Sequence, residues 1–299
     1  MNIEKTALIT ICGRPNVGKS TLANAIVGEK IAIVSNKPQT TRNRIYAVHN
    51  TEDTQLVFMD TPGYHRPKSR LDEYMAEVVR ESFSGTDAVV LVVEPIANVG
   101  PQETQLIEYI KNCRAPSVLV INKIDTIAKE ELLAVIAAYA EVFEFAHIMP
   151  ISAKTGDGVK ELLDLLCGFA MDGPPLFPED MVTDQPDRQI CAEMVREKLL
   201  YCLDHEIPHG TAVEVTRFTE REDTEIIDLD VTIYCEKASH KSIIIGKGGS
   251  MLKKIGALAR KDIERYMGTK VYLQTWVKVK ENWRDSDFLV RNFGYRSDD

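Results

Sequence analysis

A nine-residue stretch near the start of the chain, GRPNVGKST at 13–21, has the residue types and spacing that hold phosphate groups. Gly13, Gly18, Lys19 and Ser20 fit the pattern G-x-x-x-x-G-K-[ST], between a β-rich run and a helix-patterned segment. In that context backbone N–H groups wrap a β-phosphate at the positive end of the helix. Lys19 would reach the β- and γ-phosphates, and Ser20 would bind Mg²⁺. We therefore predict a site for ATP or GTP.

A second motif, NKID, distinguishes guanine from adenine. Asp125 can accept two hydrogen bonds from the N1–H and exocyclic amine of guanine, whereas adenine would leave the carboxylate unpaired. Asn122 would brace the loop, and the stem of Lys123 would cover the base. In the later tripeptide SAK, the Ala153 N–H would donate to guanine O6. We expect GTP and GDP to be the nucleotides.

Two further segments predict a switch that responds to the γ-phosphate. In DTPG, Asp60 would bind Mg²⁺ through water, and the Gly63 N–H would sense the γ-phosphate. The polar segment KPQTTRNR at 37–44 has no helix or strand pattern, and a threonine there can complete the Mg²⁺ shell while the γ-phosphate is present. We predict Thr41, with Thr40 as the close alternative. The expected metal ligands are Ser20, Thr41 and Asp60.

The phosphate loop, DTPG, NKID and SAK occur in order, each at the end of a β-rich run, so one sheet edge would collect them. The predicted nucleotide-contacting residues are Gly13, Arg14, Pro15, Asn16, Val17, Gly18, Lys19, Ser20, Thr21, Asp60, Thr61, Pro62, Gly63, Tyr64, Asn122, Lys123, Ile124, Asp125, Ser152, Ala153 and Lys154.

The elements that must position these residues alternate between β-rich and helical patterns, which predicts an α/β domain over 1–170 with a mostly parallel sheet. The second and third runs are separated only by TEDT, too short for a crossover, so we expect an antiparallel edge hairpin. The predicted strands are 7–12, 44–50, 55–60, 88–93, 117–123 and 147–152. The predicted helices are 19–27, 70–84, 102–113, 129–142 and 157–170.

A change of pattern predicts a second, smaller α+β domain. Residues 171–187 contain four prolines and no periodicity, which indicates a linker. The region 188–299 then contains a helix, two alternating strands, a glycine loop between helical segments, and a last strand. At 299 residues the chain is long enough for two such domains.

The glycine loop, GKGG at 246–249, lacks the spacing of a nucleotide loop. A GxxG loop between helical segments, followed by a lysine-rich helix, fits a KH module of the prokaryotic type II order, in which the loop lies against about four nucleotides of RNA. A solvated basic face is the alternative. The predicted RNA-binding residues are Gly246, Lys247, Gly248, Gly249, Lys253 and Lys254.

Charge and composition restrict the partners. The net charge is −9, yet residues 237–284 contain 12 Lys and Arg against 3 Asp and Glu. Such a basic window indicates an anionic partner on one face. No apolar run approaches the roughly 18 residues of a membrane span, and we see no signal peptide, so we expect a cytoplasmic protein. The six cysteines form no CxxC pair, so we expect reduced core residues rather than zinc ligands or disulfides.

Taken in order, GxxxxGKS, QTTR, DTPG, NKID and SAK resemble the translation-factor-related GTPase superfamily, and GRPNVGKSTLAN, PQTTR and DTPGYH resemble its Era-like branch. With a KH module after the GTPase domain, the resemblance implies a ribosome-assembly GTPase. Such a protein would bind the 3′ end of 16S rRNA and the immature small subunit, mostly as a monomer, with hydrolysis controlling release. The alternative is a signalling GTPase whose basic window meets anionic lipid at the inner face of the membrane.

The resemblance also bears on catalysis. Tyr64 replaces the glutamine that orients water in Ras-type GTPases. Relatives with an aromatic residue here turn over slowly alone, and in several the counterpart of Asn16 helps to bind K⁺. The alternative is that Asn16 only shapes the loop. We leave His65 unassigned, as a solvated side chain. The catalytic candidates are Lys19, Thr41, Gly63 and Asn16.

Two tryptophans near the end of the chain have different expected environments. Trp276 lies in an alternating strand, so we expect it in the core. Trp283 and Arg284 are the expected RNA contacts.

Overall fold

The computed structural model describes residues 3–222 and 224–295. They divide into two compact units, of which the first ends at Asp184 and the second begins at Gln185, apart from Lys68–Leu71, which group with the second. The first is a mixed α/β unit around a mostly parallel sheet and the second a smaller α+β unit, so the predicted fold class is confirmed.

The sheet of the first unit is built from short, strongly apolar strands, as expected for strands covered on both faces. The strand order is β2-β3-β1-β4-β5-β6, with β7 beside the start of β1. Strands β3, β1, β4, β5 and β6 run parallel. The strands are β1 (Lys5–Cys12), β2 (Ile45–Asn50), β3 (Thr54–Asp60), β4 (Ala88–Val93), β5 (Ser117–Ile121), β6 (His147–Pro150) and β7 (Met171–Asp172).

The predicted edge hairpin is present. Strands β2 and β3 pair antiparallel, with Ile45 opposite Asp60 and Asn50 opposite Gln55. Because β3 also pairs parallel with β1, this hairpin leads the chain from the segment 37–44 back to the centre of the sheet.

Helices cover both faces of the sheet, so alternate residues of each strand enter different cores. Ile9, Val90 and Val118 pack on one face with α1 and α5, whereas Leu91 and Leu119 pack on the other with α2, α3 and α4. The helices are α1 (Lys19–Val27), α2 (Arg70–Glu81), α3 (Pro101–Cys113), α4 (Lys129–Ala140) and α5 (Val159–Cys167).

Helix and strand ends differ from prediction where turns intervene. Helix α5 begins at Val159 rather than 157, since Gly158 before it has a φ of 73°, in the left-handed region. Strand β5 ends at Ile121 rather than 123, since Lys123 has a φ of 64°.

Most of the segment predicted as a linker packs against the first unit. The Gln55 side chain, fully buried, accepts hydrogen bonds from Leu176 N (2.7 Å) and Phe177 N (2.9 Å) and donates to Phe177 O (2.9 Å). Farther along, Val48 N donates to Val182 O at 2.9 Å. The boundary between the units, at 184/185, therefore falls inside the predicted linker.

The second unit packs three helices on one face of a three-stranded sheet of order β10-β9-β8, in which β8 is antiparallel and β10 parallel to β9. A 3₁₀ turn at Lys247–Gly249 joins α7 to α8. The elements are α6 (Asp187–Cys202), β8 (Thr211–Glu220), β9 (Ile227–Cys235), α7 (Ala238–Ile245), α8 (Ser250–Met267), β10 (Val271–Val279) and α9 (Asp287–Asn292).

Both expectations for the tryptophans were wrong. Trp276 is 43% exposed, because it shares the outward register of β10 with Tyr272, while Val271 and Val277 face the helices. Trp283 is fully buried, and its indole N–H donates to Gly210 O at 2.9 Å.

Arg284, expected beside Trp283 at the RNA, forms an ion pair with Glu236 at 2.7 Å.

No helix in the described part of the chain is long and apolar enough to cross a membrane.

Candidate functional site

The phosphate loop lies between β1 and α1, with Gly18 as the residue before the helix. Gly18 has a φ of 100°, which favours glycine. A Cβ there would lie 2.2 Å from the Asn122 amide nitrogen. This close approach brings the phosphate loop and the NKID loop into direct contact.

The side chain of Lys19 is buried and folds back on the loop. Its ammonium donates to Gly13 O (3.2 Å) and Arg14 O (3.1 Å). Burial lowers the pKa of Lys19, and the carboxylate of Asp60 opposes that shift. A bound phosphate would compete with the two carbonyls for this ammonium and would supply the negative charge that the buried lysine lacks.

The three predicted metal ligands meet at one point. The Ser20 hydroxyl donates to Asp60 Oδ2 at 2.7 Å and lies 2.7 Å from the Thr41 hydroxyl. Thr40, the alternative, instead donates from its hydroxyl to Lys37 O at 2.7 Å.

The chemistry of this cluster fits Mg²⁺. Among the described residues, Asp60 Oδ1 is a buried oxygen with no hydrogen-bond partner. Burial raises the pKa of Asp60 to about 6, although Lys19 and Ser20 oppose the shift. A hard cation with oxygen ligands would satisfy Oδ1 and keep the carboxylate ionised.

The NKID loop donates hydrogen bonds to two successive carbonyls of the phosphate loop. The Asn122 amide donates to Val17 O at 2.8 Å, and the Lys123 ammonium donates to Asn16 O at 2.6 Å. The Ser152 hydroxyl donates to Asp125 Oδ1 at 2.6 Å and so orients the carboxylate expected to read guanine.

The predicted role of Ala153 has a competitor within the chain. Its N–H donates to Asn122 Oδ1 at 2.9 Å, so this group must share or exchange its acceptor to reach guanine O6. The contact to O6 stays a prediction.

A cleft lies over the phosphate loop. Gly63 and Lys123 line it together with the phosphate loop. The residues 33–36 and 39–41 form the opposite wall. Asn16, with a φ of 68°, reaches that wall by donating from its side chain to Asn36 O at 2.8 Å.

The DTPG loop approaches the phosphate loop closely. A Cβ on Gly63 would lie 2.7 Å from Pro15 Cα, and Tyr64 N donates to Gly13 O at 3.1 Å. The Tyr64 ring packs edge-on against Tyr109, with 5.9 Å between centroids. Tyr64 therefore holds the loop through its backbone and an aromatic contact.

A cluster of polar side chains around His65 was not predicted from the sequence. We expected His65 to be solvated, and this was wrong, because its side chain is only 18% exposed. Its nitrogens lie 3.0 Å from Gly63 O and 3.0 Å from Asp72 Oδ1. The Gln39 amide also donates to Asp72 Oδ1, at 2.7 Å. The cluster joins the two switch segments.

Glu94, at the end of β4, was also missed. It forms ion pairs with Arg14 and Lys123, at 2.6 Å each. Its signal was positional: it follows a buried strand at the edge where the other motifs gather.

The GKGG loop of the second unit is exposed at its two central residues, Lys247 and Gly248, and half-buried at Gly246 and Gly249. Gly248, at a φ of 59°, has open space where a Cβ would stand, and Gly249, at a φ of 79°, precedes α8. Lys247, Lys253 and Lys254 are exposed, and Ile243, at the end of α7, is 48% exposed. Backbone, apolar and cationic groups are thus accessible to a nucleic acid on one loop and its flanking helices.

Comparison with known families matches both units. Residues 8–123 match the family described as 50S ribosome-binding GTPase, and residues 206–284 match the KH domain family. The chain is 50% identical to GTPase Era of Ruminiclostridium cellulolyticum over 293 residues, covering 98% of both chains. It is 51% identical to GTPase Era of Alkaliphilus oremlandii over 291 residues, covering 97% of this chain and 99% of the other.

Two solved structures are similar over nearly the whole chain. One is Era in complex with MgGDPNP and nucleotides 1506–1542 of 16S ribosomal RNA, with 37% identity, a TM-score of 0.94, and coverage of 98% of this chain and 99% of that one. The other is an Aquifex aeolicus Era variant bound to GDP and AlF₄⁻, with 36% identity, a TM-score of 0.93, and coverage of 97% and 99%.

Proposed function

The chain belongs to the GTPase Era family, whose members hydrolyse GTP, and we propose that it is a switch in assembly of the small ribosomal subunit. In this proposal its KH domain binds the 3′ end of 16S rRNA, and GTP hydrolysis in the first domain controls release. It acts in the cytoplasm, mostly as a monomer. The observation that carries the proposal is that one chain combines the Ser20–Thr41–Asp60 cluster with an exposed GKGG loop.

The nucleotide site divides its work among a few residues. Lys19 binds the β- and γ-phosphates in place of its two loop carbonyls, and Asp125 reads guanine. Ser20, Thr41 and Asp60 would hold Mg²⁺, which would neutralise charge that develops on the phosphates. Because Thr41 belongs to the segment 37–44, it would complete the Mg²⁺ shell, and so couple that segment to the nucleotide, only while the γ-phosphate is present.

Catalysis is proposed to depend on backbone and loop groups. Gly63 would direct its N–H at the γ-phosphate. The ring of Tyr64 packs against Tyr109 and is therefore directed into the domain. Asn16 extends from the phosphate loop to Asn36 O. We include K⁺ as a cofactor that Asn16 would help to hold, where it would supply positive charge to the transition state.

The RNA site is proposed to lie along α7, the GKGG loop and α8. Gly246 and Gly248 allow the backbone to approach sugar and phosphate, and Lys247, Lys253 and Lys254 contribute positive charge. Gly249 completes the turn into α8.

The proposal is tested by RNA binding in each nucleotide state. Fluorescence anisotropy would measure the Kd of a labelled 16S 3′-end RNA and of a scrambled RNA, with a GTP analogue and with GDP. We expect preference for the 16S sequence and a difference between the two nucleotide states.

Gly248→Asp and Gly248→Asn form a matched pair, because both residues tolerate a positive φ and only Asp adds charge. We expect Asp to weaken RNA binding more than Asn does. Equal binding of both RNAs, or equally tight binding to anionic vesicles, would instead favour the membrane-associated signalling GTPase at the inner face of the membrane.

A further inference from the structure

Glu94 is placed where two nucleotide motifs meet, although it belongs to neither. It follows β4, and each of its carboxylate oxygens accepts from a different cation. Oε2 accepts from the Arg14 guanidinium of the phosphate loop at 2.6 Å. Oε1 accepts from the Lys123 ammonium of the NKID loop at 2.6 Å. One carboxylate therefore ties the phosphate loop to the base-reading loop.

Both cations have a second partner that limits their orientation. Arg14 also contacts Glu103, a side chain of α3 that is only 4% exposed, at 3.2 Å. Lys123 also donates to Asn16 O at 2.6 Å. The result is a chain of alternating charge, from Glu103 through Arg14 and Glu94 to Lys123, which ends on a carbonyl of the phosphate loop.

We propose that Glu94 is a positioning residue for guanine-nucleotide binding, which acts by holding the Lys123 side chain across the phosphate loop where its stem covers the base. The inference rests on the proposed function, since it takes Lys123 to cover guanine. Lysine has a long, freely rotating side chain, and ordering it costs entropy on binding. Glu94 orders this side chain before the nucleotide arrives, so less entropy is lost when it binds.

If Glu94 acted only through its negative charge, its replacement would change nucleotide affinity in the opposite direction. Glu94 carries negative charge close to a site for a polyanion, and its removal would strengthen nucleotide binding if long-range repulsion were its main effect. The charge chain argues against this, because Arg14 and Lys123 each lie 2.6 Å from the carboxylate and offset its charge locally.

The test compares nucleotide dissociation from three full-length proteins. Release of fluorescent GDP and of a fluorescent GTP analogue would be measured by stopped flow for the wild type, Glu94→Gln and Glu108→Gln. Glu108 is the matched control, because it forms an exposed ion pair with Lys111 on α3. We expect Glu94→Gln to release both nucleotides about three- to tenfold faster, and Glu108→Gln to match the wild type.

A double-mutant cycle separates positioning from a structural role. If Glu94 acts through Lys123, Glu94→Gln added to Lys123→Met should speed release no further, and nucleotide-free thermal unfolding should not follow the release rates. The inference would be overturned if the two substitutions had additive effects on the release rate. It would also be overturned if Glu94→Gln released nucleotide at the wild-type rate or more slowly. If the wild type instead bound GDP no better than ADP, the proposed function itself would fail.

Discussion

The hydroxyls of Ser20 and Thr41 lie 2.7 Å apart, although the two residues are 21 positions apart in the sequence. Ser20 is the second residue of the helix that follows the phosphate loop, and Thr41 belongs to a segment that contains no regular helix or strand. Their contact places the switch segment over the phosphate loop. Because the Ser20 hydroxyl also donates to Asp60, the same point collects all three proposed Mg²⁺ ligands.

The two neighbouring threonines should differ in their effect on nucleotide binding. Thr41→Ala removes a proposed metal ligand, so the Kd of a GTP analogue with Mg²⁺ should rise about tenfold or more, with little change for GDP. Thr40→Ala is the control, since the Thr40 hydroxyl donates to Lys37 O. Fluorescent-nucleotide titrations would measure both. A larger loss in Thr40→Ala would assign the metal ligand to Thr40.

Stability of the metal-free, nucleotide-free protein should depend on the protonation of Asp60. Burial raises the pKa of this carboxyl from 3.8 to about 6, so between these values the folded state binds more protons than the unfolded state. The stabilisation of the folded state that this proton binding provides is fully present below about pH 4 and is lost as the pH rises through about 6.

Asp60→Asn should lack this dependence. Between about pH 4 and pH 7 the unfolding free energy of the wild type should fall relative to that of the variant by about 2 kcal/mol. Urea unfolding in EDTA at several pH values would measure it. Parallel curves for the two proteins would show that Asp60 titrates as in the unfolded chain.

Gln55 should fix the segment 171–184 to the first domain. Gln55→Leu would leave the N–H groups of Leu176 and Phe177 without their acceptor, at a cost of about 2–4 kcal/mol. Hydrogen exchange should then accelerate in 171–184. Gln274→Leu, at an exposed position of β10, is the control and should stay within about 0.5 kcal/mol. Unchanged exchange in Gln55→Leu would contradict this role.

The two tryptophans should report opposite environments. Trp283 is buried, so Trp283→Ala should destabilise the protein by about 3–5 kcal/mol, whereas Trp276→Ala should cost at most about 1 kcal/mol. Since the chain has two tryptophans, each single-tryptophan variant (the other residue replaced by Phe) can be read separately. Iodide should quench Trp276 fluorescence strongly and Trp283 weakly; the reverse would reinstate the original assignment.

Much of the fold was predictable because its signals are local. Buried runs such as AVVLVV at 88–93 define the strands, and TEDT leaves too little chain for anything but a hairpin. The site motifs were recognisable because phosphate and guanine each require particular residue types at strand ends, where a parallel sheet gathers them.

Other features depend on register and on single long-range contacts. The alternating pattern of β10 predicted two faces but did not say which one meets the helices, so Trp276 was placed on the wrong face. The segment 171–184 has no periodicity, and it is held by Gln55 and backbone groups. A single carboxylate such as Glu94 belongs to no sequence motif, and its place after a buried strand does not show its role, because that role depends on two cations distant in the chain.

The central claim is that the nucleotide site and the GKGG loop are parts of one switch. The most direct test is the rate of GTP hydrolysis in potassium and in sodium buffer, with and without 16S 3′-end RNA, for the wild type and Gly248→Asp. We predict that the 16S RNA accelerates hydrolysis by the wild type, that scrambled RNA does not, and that Gly248→Asp keeps its basal rate but loses the acceleration. Equal acceleration by scrambled RNA, or an unchanged response in Gly248→Asp, would contradict the account.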